Sequence, residues 1–551
     1  MILKTSWNLF DKNGDTIAPD KFEVQESITD FSFDFSLKFQ FQTEVSKVFL
    51  DIVFQNPIKA WRKFDYSWKK PNDSFLLSNI HSPKILKAHN DLKVVAISTL
   101  GCWEYISKGN ILRWHFFNPM LSPSLIFDQN DKRHFLQFQA IKAGTKINSG
   151  LIWGKGLVEE WARTPHGFIP TLCFTDHSDF DTLKNLQVQR RFFKDIGLRT
   201  TKGFFLYDYT HKPENASFED QESRDELILW EQDGHELAYH ALSQSYRGEI
   251  SEMEFDNFVS PKEIQQVETY IDHGFHPYNY TKQKLGNWEK WYQHMGAKGI
   301  QRIWTYVDAG EANYFNLNQI NPKNFTWQKM RESSNLARKK GLNRKRLTDL
   351  RNFLMYGVSE SVLREGKSLG GSFSALKSNP SLSGFSRFTR LGLKFIYESL
   401  QPNSIRELLK KSKQVFPVST FGPLFFDSPN QQSTSIQSFQ TLAIRDFDIA
   451  FSELALDALK DESGVVIAHT YFAYTGQNHE GRLFEDESWN LRVEAKKGFE
   501  RVGKMVKEGK LWNPTLREMH SFYKHLEEIE YEKVGEDLRI KNFKGVSRQI
   551  D

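Results

Sequence analysis

The sequence predicts an α/β protein with a (β/α)7-type barrel, a β-sandwich before the barrel and a helical insertion within it. Three observations support this. The first 160 residues alternate apolar and polar positions with a period of two. After Thr164, apolar runs of strand length recur with helical patterns between them, which is typical of a parallel α/β fold. A basic stretch of about 100 residues interrupts that rhythm and is too long for an ordinary connection.

Composition narrows the class of protein. The chain has 551 residues, 39% of them hydrophobic, which suffices for several packed cores. Its two cysteines, Cys102 and Cys173, lie in apolar surroundings, so we expect reduced thiols and no cysteine-based zinc site. The N-terminus lacks the apolar core of a signal peptide, and no window reaches 18 uninterrupted apolar residues. We therefore expect a soluble, cytoplasmic protein without a transmembrane segment.

Residues 1–160 are predicted to form the β-rich N-terminal domain. The run from Phe31 to Phe41 alternates apolar and polar residues, as a strand with one buried face does. The run from Val48 to Phe54 is more continuously apolar but still of strand length. Few helical periods occur in this part of the chain, so an antiparallel β-sandwich is expected.

The barrel is predicted to occupy residues 161–309 and 414–535, with the helical insertion at 310–413. Seven strand-like runs indicate a closed or nearly closed barrel. They are Ile169 to Phe174, Gly203 to Tyr207, Glu236 to His240, Val267 to Ile271, Ile300 to Val307, Val415 to Thr420 and Val465 to Ala468.

The insertion carries the positive charge of the chain. From Lys329 to Lys413 there are 19 Lys and Arg residues against six Asp and Glu, an excess of 13 in a chain whose net charge is +4. A solvated helical face would explain this charge, and so would a surface that binds anions. Such a surface could attract an anionic or lipid-phosphate-linked carbohydrate, or an anionic membrane. No nucleic-acid recognition motif accompanies the charge.

Polar residues follow several of the predicted strands, where active sites of α/β folds lie. The first strand leads into Asp176, His177 and Asp179, and capping of the next helix by Asp179 or Asp181 is the alternative explanation for the turn. A histidine follows or ends each of three further strands, and a buried histidine bonded to backbone is the alternative for each one. These histidines are His240, His273 and His469.

These segments, in this order, resemble the polysaccharide deacetylase family with its NodB-type domain. Phe174-Thr175-Asp176-His177 is similar to the family's Thr-Phe-Asp-Asp turn, and Gly234-His235-Glu236-Leu237-Ala238-Tyr239-His240 to its Gly-His-Glu-Ile-Gly-x-His motif. Gly464 to His469 resembles the late strand that presents the catalytic histidine. The resemblance covers about residues 165–475 without the insertion.

The resemblance implies a metal-dependent hydrolase that removes N-acetyl groups from a sugar or polysaccharide. Asp176 would act as general base and His469 as general acid. A divalent metal, expected to be zinc, would be held by a set that lies near the barrel mouth. That set is His177, Asp179, His240 and His273. The predicted substrate-binding residues are Asp272, His276, Tyr278, Trp304 and Asp308.

Three departures from the family pattern bear on this hypothesis. His177 replaces the second Asp of the turn, Gln244 stands where a second metal histidine is expected, and Phe275 stands where the family has Arg. A noncatalytic carbohydrate-binding protein on the same barrel is therefore one alternative. A glycoside hydrolase that uses Asp176 with Asp272 or Asp308 is another, and it requires two carboxylates about 5–9.5 Å apart.

Overall fold

The computed structural model describes most of the chain. The described residues are 1–71, 75–78, 81–128, 133–136, 139–208, 215–244, 248–273, 288–315, 317–339, 360–409, 416–427, 435–476 and 481–551. The predicted substrate residues His276 and Tyr278 lie outside these ranges. No helix of the described residues is long and apolar enough to cross a membrane.

Two antiparallel sheets make up most of the first 160 residues. Within the described ranges, one sheet runs β1-β4-β11-β10-β7 with β14 beside β4, and the other runs β2-β3-β15-β9-β8-β5-β6. The strands of this part are β1 Ile2–Asp11, β2 Phe22–Ile28, β3 Ser32–Phe39, β4 Thr43–Phe54, β5 Ala60–Arg62, β6 Trp68–Lys69, β7 Phe75–Ser78, β8 Ile85–Lys87, β9 Lys93–Ala96, β10 Cys102–Ile106, β11 Ile111–Phe117, β12 Leu125–Asp128, β13 Arg133–Leu136, β14 Gln139–Ile141, β15 Lys146–Gly154 and β16 Val158–Trp161. Among these described strands, β12 and β13 pair only with each other, and β16 belongs to a third sheet.

The two sheets share one core, which makes this part a sandwich. Phe33 and Leu151 of one sheet and Leu50 and Leu112 of the other are all buried in it. In β3 the alternate residues from Phe33 to Phe39 are buried, as the period-two pattern of the sequence predicts.

A closed parallel barrel follows the sandwich. In the described part of the chain, seven parallel strands pair in the ring order β17-β18-β19-β20-β21-β23-β24, and β24 pairs again with β17. β22 lies antiparallel beside β23. The strands are β17 Thr171–Asp176, β18 Thr201–Phe204, β19 Glu236–His240, β20 Thr269–Ile271, β21 Arg302–Glu311, β22 Phe425–Asp427, β23 Gln437–Ala443 and β24 Val465–Thr470.

Six of the seven predicted barrel strands overlap observed ones, and the sixth in chain order is wrong. Pro417–Ser419, within the predicted run Val415 to Thr420, is a 3-10 turn, because proline lacks the amide hydrogen that a strand needs. The sixth barrel strand is β23, which carries the buried polar residues Ser438, Gln440 and Thr441. Such a strand does not show the continuous apolar pattern of a buried one.

Helices alternate with the barrel strands, and β21 is followed by the helical insertion. The barrel helices are α1 Leu183–Ile196, α2 Gln221–Gln232, α3 Gly248–Asn257 and α4 Trp288–Ala297. The insertion contributes α5 Trp327–Lys339, α6 Glu360–Ser378, α7 Leu382–Ser399 and α8 Pro402–Leu409. The remaining helices are α9 Phe447–Ala450, α10 Glu453–Asp461, α11 Val493–Lys507 and α12 Leu516–Glu527.

The C-terminal segment returns to the end of the N-terminal part. Strands β25 Glu530–Val534, β26 Asp537–Lys541 and β27 Ser547–Ile550 form a small sheet with β16. The predicted domain boundaries at 160 and 535 both fall within this sheet. Leu516 and Met519 of α12 share a core with Trp161 and with the barrel interior. This packing covers the amino end of the barrel, so the carboxyl ends of the strands are left for a site.

Candidate functional site

Strand parity decides which polar residues face the barrel interior. One residue from most barrel strands points inward into a shared interior core, and the inward set includes Cys173, Ala238, Ile271, Trp304, Phe439 and Ile467. Because successive side chains of a strand point to opposite faces, positions two or four residues further on continue the inward columns. His177, His240, His273 and His469 occupy those positions.

Three of the predicted metal ligands meet at the mouth of the barrel. One donor atom each from His177, Asp179 and His240 lies within 4.8 Å of the others. His177 Nδ1 and His240 Nε2 are 3.1 Å apart, and Asp179 Oδ2 lies 3.7 Å from His240 Nδ1. A tetrahedral zinc ion with bonds of about 2.0–2.1 Å separates its ligands by roughly 3.3 Å. The His177–His240 pair has about that spacing, whereas the contact of Asp179 is with the other nitrogen of His240.

The fourth predicted ligand, His273, is bound to Asp179 in this structure. Its Nε2 lies 2.5 Å from Asp179 Oδ1. Burial alone would lower the pKa of His273, but the charge and hydrogen bond of Asp179 outweigh it, so this pKa is raised above 6.5. His273 thus completes a connected group with the other three residues, and we call these four residues the histidine cluster.

Two groups of Ser178 contact Nδ1, the second ring nitrogen of His240. The Ser178 amide donates to His240 Nδ1 at 3.2 Å, and Ser178 Oγ lies 3.2 Å from the same atom. Because Nδ1 accepts the amide hydrogen, the ring hydrogen lies on Nε2, which faces His177 Nδ1 at 3.1 Å. These contacts hold the His240 ring in place beside His177.

A second pair of polar residues lies beside the histidine cluster. His469 Nδ1 is 3.0 Å from Asp308 Oδ1, and the Thr441 hydroxyl donates to the same carboxylate oxygen at 2.6 Å. The His469 ring stacks on His177 with 4.2 Å between ring centroids. The carboxylate fixes the hydrogen on Nδ1 and leaves Nε2 of His469 to exchange a proton.

Asp176 faces away from this group, although it is next to His177 in sequence. Its neighbours Leu172 and Phe174 belong to the core between the barrel and its helices, so the same parity directs Asp176 outward. Asp176 Oδ2 is bound to Lys202 Nζ, and Oδ1 accepts from the Thr470 hydroxyl at 3.1 Å and the Phe472 amide at 2.8 Å. The predicted general base is therefore held by other groups of the chain.

Lys202 also binds Asp181 Oδ2 at 2.6 Å, and all three side chains are buried. We call Asp176, Asp181 and Lys202 the ion-pair cluster. Burial raises the pKa of Asp176 to about 6, while Lys202 acts to lower it. Burial likewise raises the pKa of Asp181, again against Lys202. Because two carboxylates share one ammonium, Lys202 offsets only part of the effect of burial on their pKa values.

The remaining predicted residues have other environments. Asp272 is fully buried and lies two residues after Tyr270, whose side chain packs in the core between the barrel and its helices. We therefore place Asp272 on the outer face of the barrel wall, away from the histidine cluster. Trp304 is buried, and its ring meets the stacked His177 and His469 rings edge to face at 4.9 Å and 4.7 Å. Trp304 therefore packs beneath the site.

Two further expectations about the turn are settled by its hydrogen bonds. Thr182 caps α1 in a capping box with Asn185, so helix capping does not explain Asp179 or Asp181. Gln244, at the position of the family's second metal histidine, donates to the Asp179 carbonyl at 3.0 Å and accepts from Asn215. It therefore supports the turn that carries Asp179.

A cleft of about 990 Å³ leads to Asp179 from the protein surface. The rings of Phe180 and Tyr474 pack in its wall with centroids 4.8 Å apart and planes tilted by 48°. Trp489, several acidic residues and Lys184 are among the described residues that line it. Sequence reasoning did not assign these aromatic residues or Lys202 to the site, because aromatic residues and a single lysine within a strand are usually structural.

Comparison with known proteins gives no family. No family model and no curated protein sequence matches the chain. Among solved structures, a Flavobacterium johnsoniae GH31 dextranase complexed with isomaltotriose is 8% identical with a TM-score of 0.20, covering 51% of this chain and 39% of its own. An α-N-acetylgalactosaminidase from Bifidobacterium bifidum is 9% identical with a TM-score of 0.21, covering 54% and 71%. Likeness at this level carries no argument, so the functional proposal rests on the site.

Proposed function

We propose that this protein is a metal-dependent hydrolase that removes N-acetyl groups from a carbohydrate. The observation that carries the proposal is the meeting of His177, Asp179 and His240 within 4.8 Å beside the His469–Asp308 pair. A mixed nitrogen and oxygen donor set next to an oriented histidine is what metal-assisted hydrolysis requires.

Zinc suits this donor set best. Imidazole and carboxylate are ligand types that zinc accepts, and the three residues lie together at the mouth of the barrel. His177, Asp179 and His240 would hold the ion, with His273 orienting Asp179 through their 2.5 Å contact. When bound, the metal would polarise the acetyl carbonyl and lower the pKa of a water molecule.

The residues of the chain would supply the proton transfers. His469, held through Nδ1 by Asp308, would take a proton from the attacking water at Nε2 and then give it to the leaving amine. Asp176 has the role of general base by family resemblance, but its contacts with Lys202 and the Phe472 amide favour a positioning role. We therefore assign acid–base chemistry to His469 and treat Asp176 as an anchor of the strand end.

The cleft indicates the kind of substrate. Phe180, Tyr474 and Trp489 offer apolar ring faces, on which the C–H faces of sugar rings pack well. Its acidic lining residues outnumber Lys184 and are Asp179, Asp208, Asp220, Glu222 and Glu487. This charge favours a neutral N-acetylated sugar and its cationic amine product over a polyanionic carbohydrate at the cleft itself. An anionic or lipid-phosphate-linked substrate would have to place its anionic part outside the cleft, and a membrane-associated site of action is compatible with that.

Metal analysis combined with an acetate-release assay tests the proposal. Purified protein should contain about one zinc per chain, and His177→Ala and His240→Ala should each lose it together with activity on N-acetylhexosamine oligosaccharides. Asp308→Asn should keep the zinc but slow acetate release by about tenfold to a hundredfold, because His469 loses the carboxylate that orients it.

The same preparation distinguishes the alternatives. Release of reducing sugar ends without acetate would favour a glycoside hydrolase. Sugar binding with neither product and no bound zinc would favour a noncatalytic carbohydrate-binding protein. Either result would refute deacetylation.

A further inference from the structure

Helix α7 of the insertion has an apolar face that stays exposed in the part of the chain that the structure describes. Six large apolar residues of α7 and its C-terminal cap are between 55% and 92% exposed. They are Leu382, Phe385, Leu393, Ile396, Tyr397 and Leu400. At 100° per residue these positions fall within a single stripe about 120° wide along the helix. No residue of α7 is buried.

The opposite face of α7 accounts for its folding. Phe388 packs on Phe373 of α6 with 5.8 Å between ring centroids, and Phe395 lies over Gly366. Lys394 pairs with the buried carboxylate of Glu365 at 2.8 Å. The helical hairpin is thus held together by its inner face, and the exposed stripe is not needed for it.

Basic residues flank the stripe on one side. Following the helix round from Tyr397, the next positions are Arg390, Lys394 and Arg387, while the one acid of α7, Glu398, lies further towards the inner face. An apolar stripe with a cationic flank is typical of helices that lie in the interface of an anionic membrane. Aromatic residues such as Phe385 and Tyr397 suit the level of the lipid headgroups.

We propose that α7 docks the protein on the surface of a bilayer that contains anionic phospholipid. Charge disfavours a second copy packed antiparallel on this stripe, because that contact would bring the cationic flanks of both copies to one rim. A bilayer supplies apolar depth for the stripe and phosphate for the arginines. The inference stands on the insertion alone and does not depend on the hydrolase proposal.

Vesicle flotation of the full-length protein tests this. Wild type should float with phosphatidylcholine vesicles containing one quarter phosphatidylglycerol at 50 mM NaCl, and less so at 500 mM NaCl or with phosphatidylcholine alone. Leu393→Gln/Ile396→Gln should lower the bound fraction about tenfold, and Arg387→Gln/Arg390→Gln should remove most of the preference for anionic lipid. Leu3→Gln, a change at an exposed leucine of the N-terminal sandwich, is the matched control and should bind as wild type does.

Circular dichroism melts of all variants establish that each is folded. Absence of wild-type binding at low salt, or equal binding by the Leu393→Gln/Ile396→Gln variant, would overturn the proposal. So would a wild-type dimer in light scattering that the same variant abolishes, since the stripe would then be an interface between copies.

Discussion

The histidine cluster and the ion-pair cluster lie on opposite sides of the barrel wall, although they include the adjacent residues His177 and Asp176 at the end of β17. His177 points to the mouth, where the side chains of Asp179 and His273 are 17% and 15% exposed. Asp176 points to the helical layer, where it and Lys202 have no exposed surface. The comparison teaches that polar residues adjacent in a strand can serve different ends. The open cluster is suited to bind a ligand, and the closed one is suited to hold the wall together.

The largest effect is expected for His469, beside the open cluster. His469→Gln should slow acetate release by about 10²–10⁴, because the proton donor to the leaving amine is lost. Zinc content should stay at the wild-type level and the free energy of unfolding should change by about 1 kcal/mol or less. Kinetics, metal analysis and urea denaturation measure the three quantities. Loss of zinc in this variant would place His469 among the ligands instead.

A change at Lys202 should instead lower mainly the free energy of unfolding. Lys202→Met leaves two buried carboxylates without their cation, so the free energy of unfolding should fall by about 3–5 kcal/mol. Lys202→Arg is the matched control, because it keeps the charge and should lose less. Both are measured by urea denaturation of the purified proteins. A loss of under about 1 kcal/mol for Lys202→Met would show that the ion-pair cluster does not stabilise the wall.

Asp176→Asn separates the two clusters directly. The amide retains an oxygen for the Thr470 and Phe472 donors, and Lys202 keeps Asp181 as its partner. We expect acetate release to fall by less than about tenfold, whereas removal of a general base costs about 10²–10⁴. A loss in that higher range, with zinc and stability unchanged, would restore Asp176 as the base and break the division between the clusters.

The smallest effect is expected at Gln244, which supports the turn of the open cluster. Gln244→Leu removes the hydrogen bond to the Asp179 carbonyl, a contribution of about 1 kcal/mol. Zinc affinity should fall by roughly threefold to tenfold, as measured by competition with a chelating dye. Gln266→Leu, which removes a similar side-chain bond to the Lys298 carbonyl, should leave zinc affinity unchanged. Equal losses in the two variants would argue against a role for Gln244 at the site.

The sequence by itself determined the barrel and most of its strands. Apolar runs of strand length are needed wherever a strand is buried on both faces, and six of the seven predicted runs carry that signal. It also placed His177, His240, His273 and His469 at strand ends, since residues after parallel strands collect at one edge. The strand β23 was missed because Ser438, Gln440 and Thr441 are polar and still buried.

Only the tertiary structure decided which side of the wall each residue faces. In a strand buried on both faces, the pattern of residues does not tell the inner face from the outer one, so Asp176 and His177 read as one motif. The ring closure fixes the inward column through Cys173 and Ile467, and with it His177 and His469 face the mouth while Asp176 meets Lys202. No sequence pattern predicted the ion pairs of Lys202. Its partners come from residues 21 and 26 positions earlier, and only the packing of β17 against β18 brings them together.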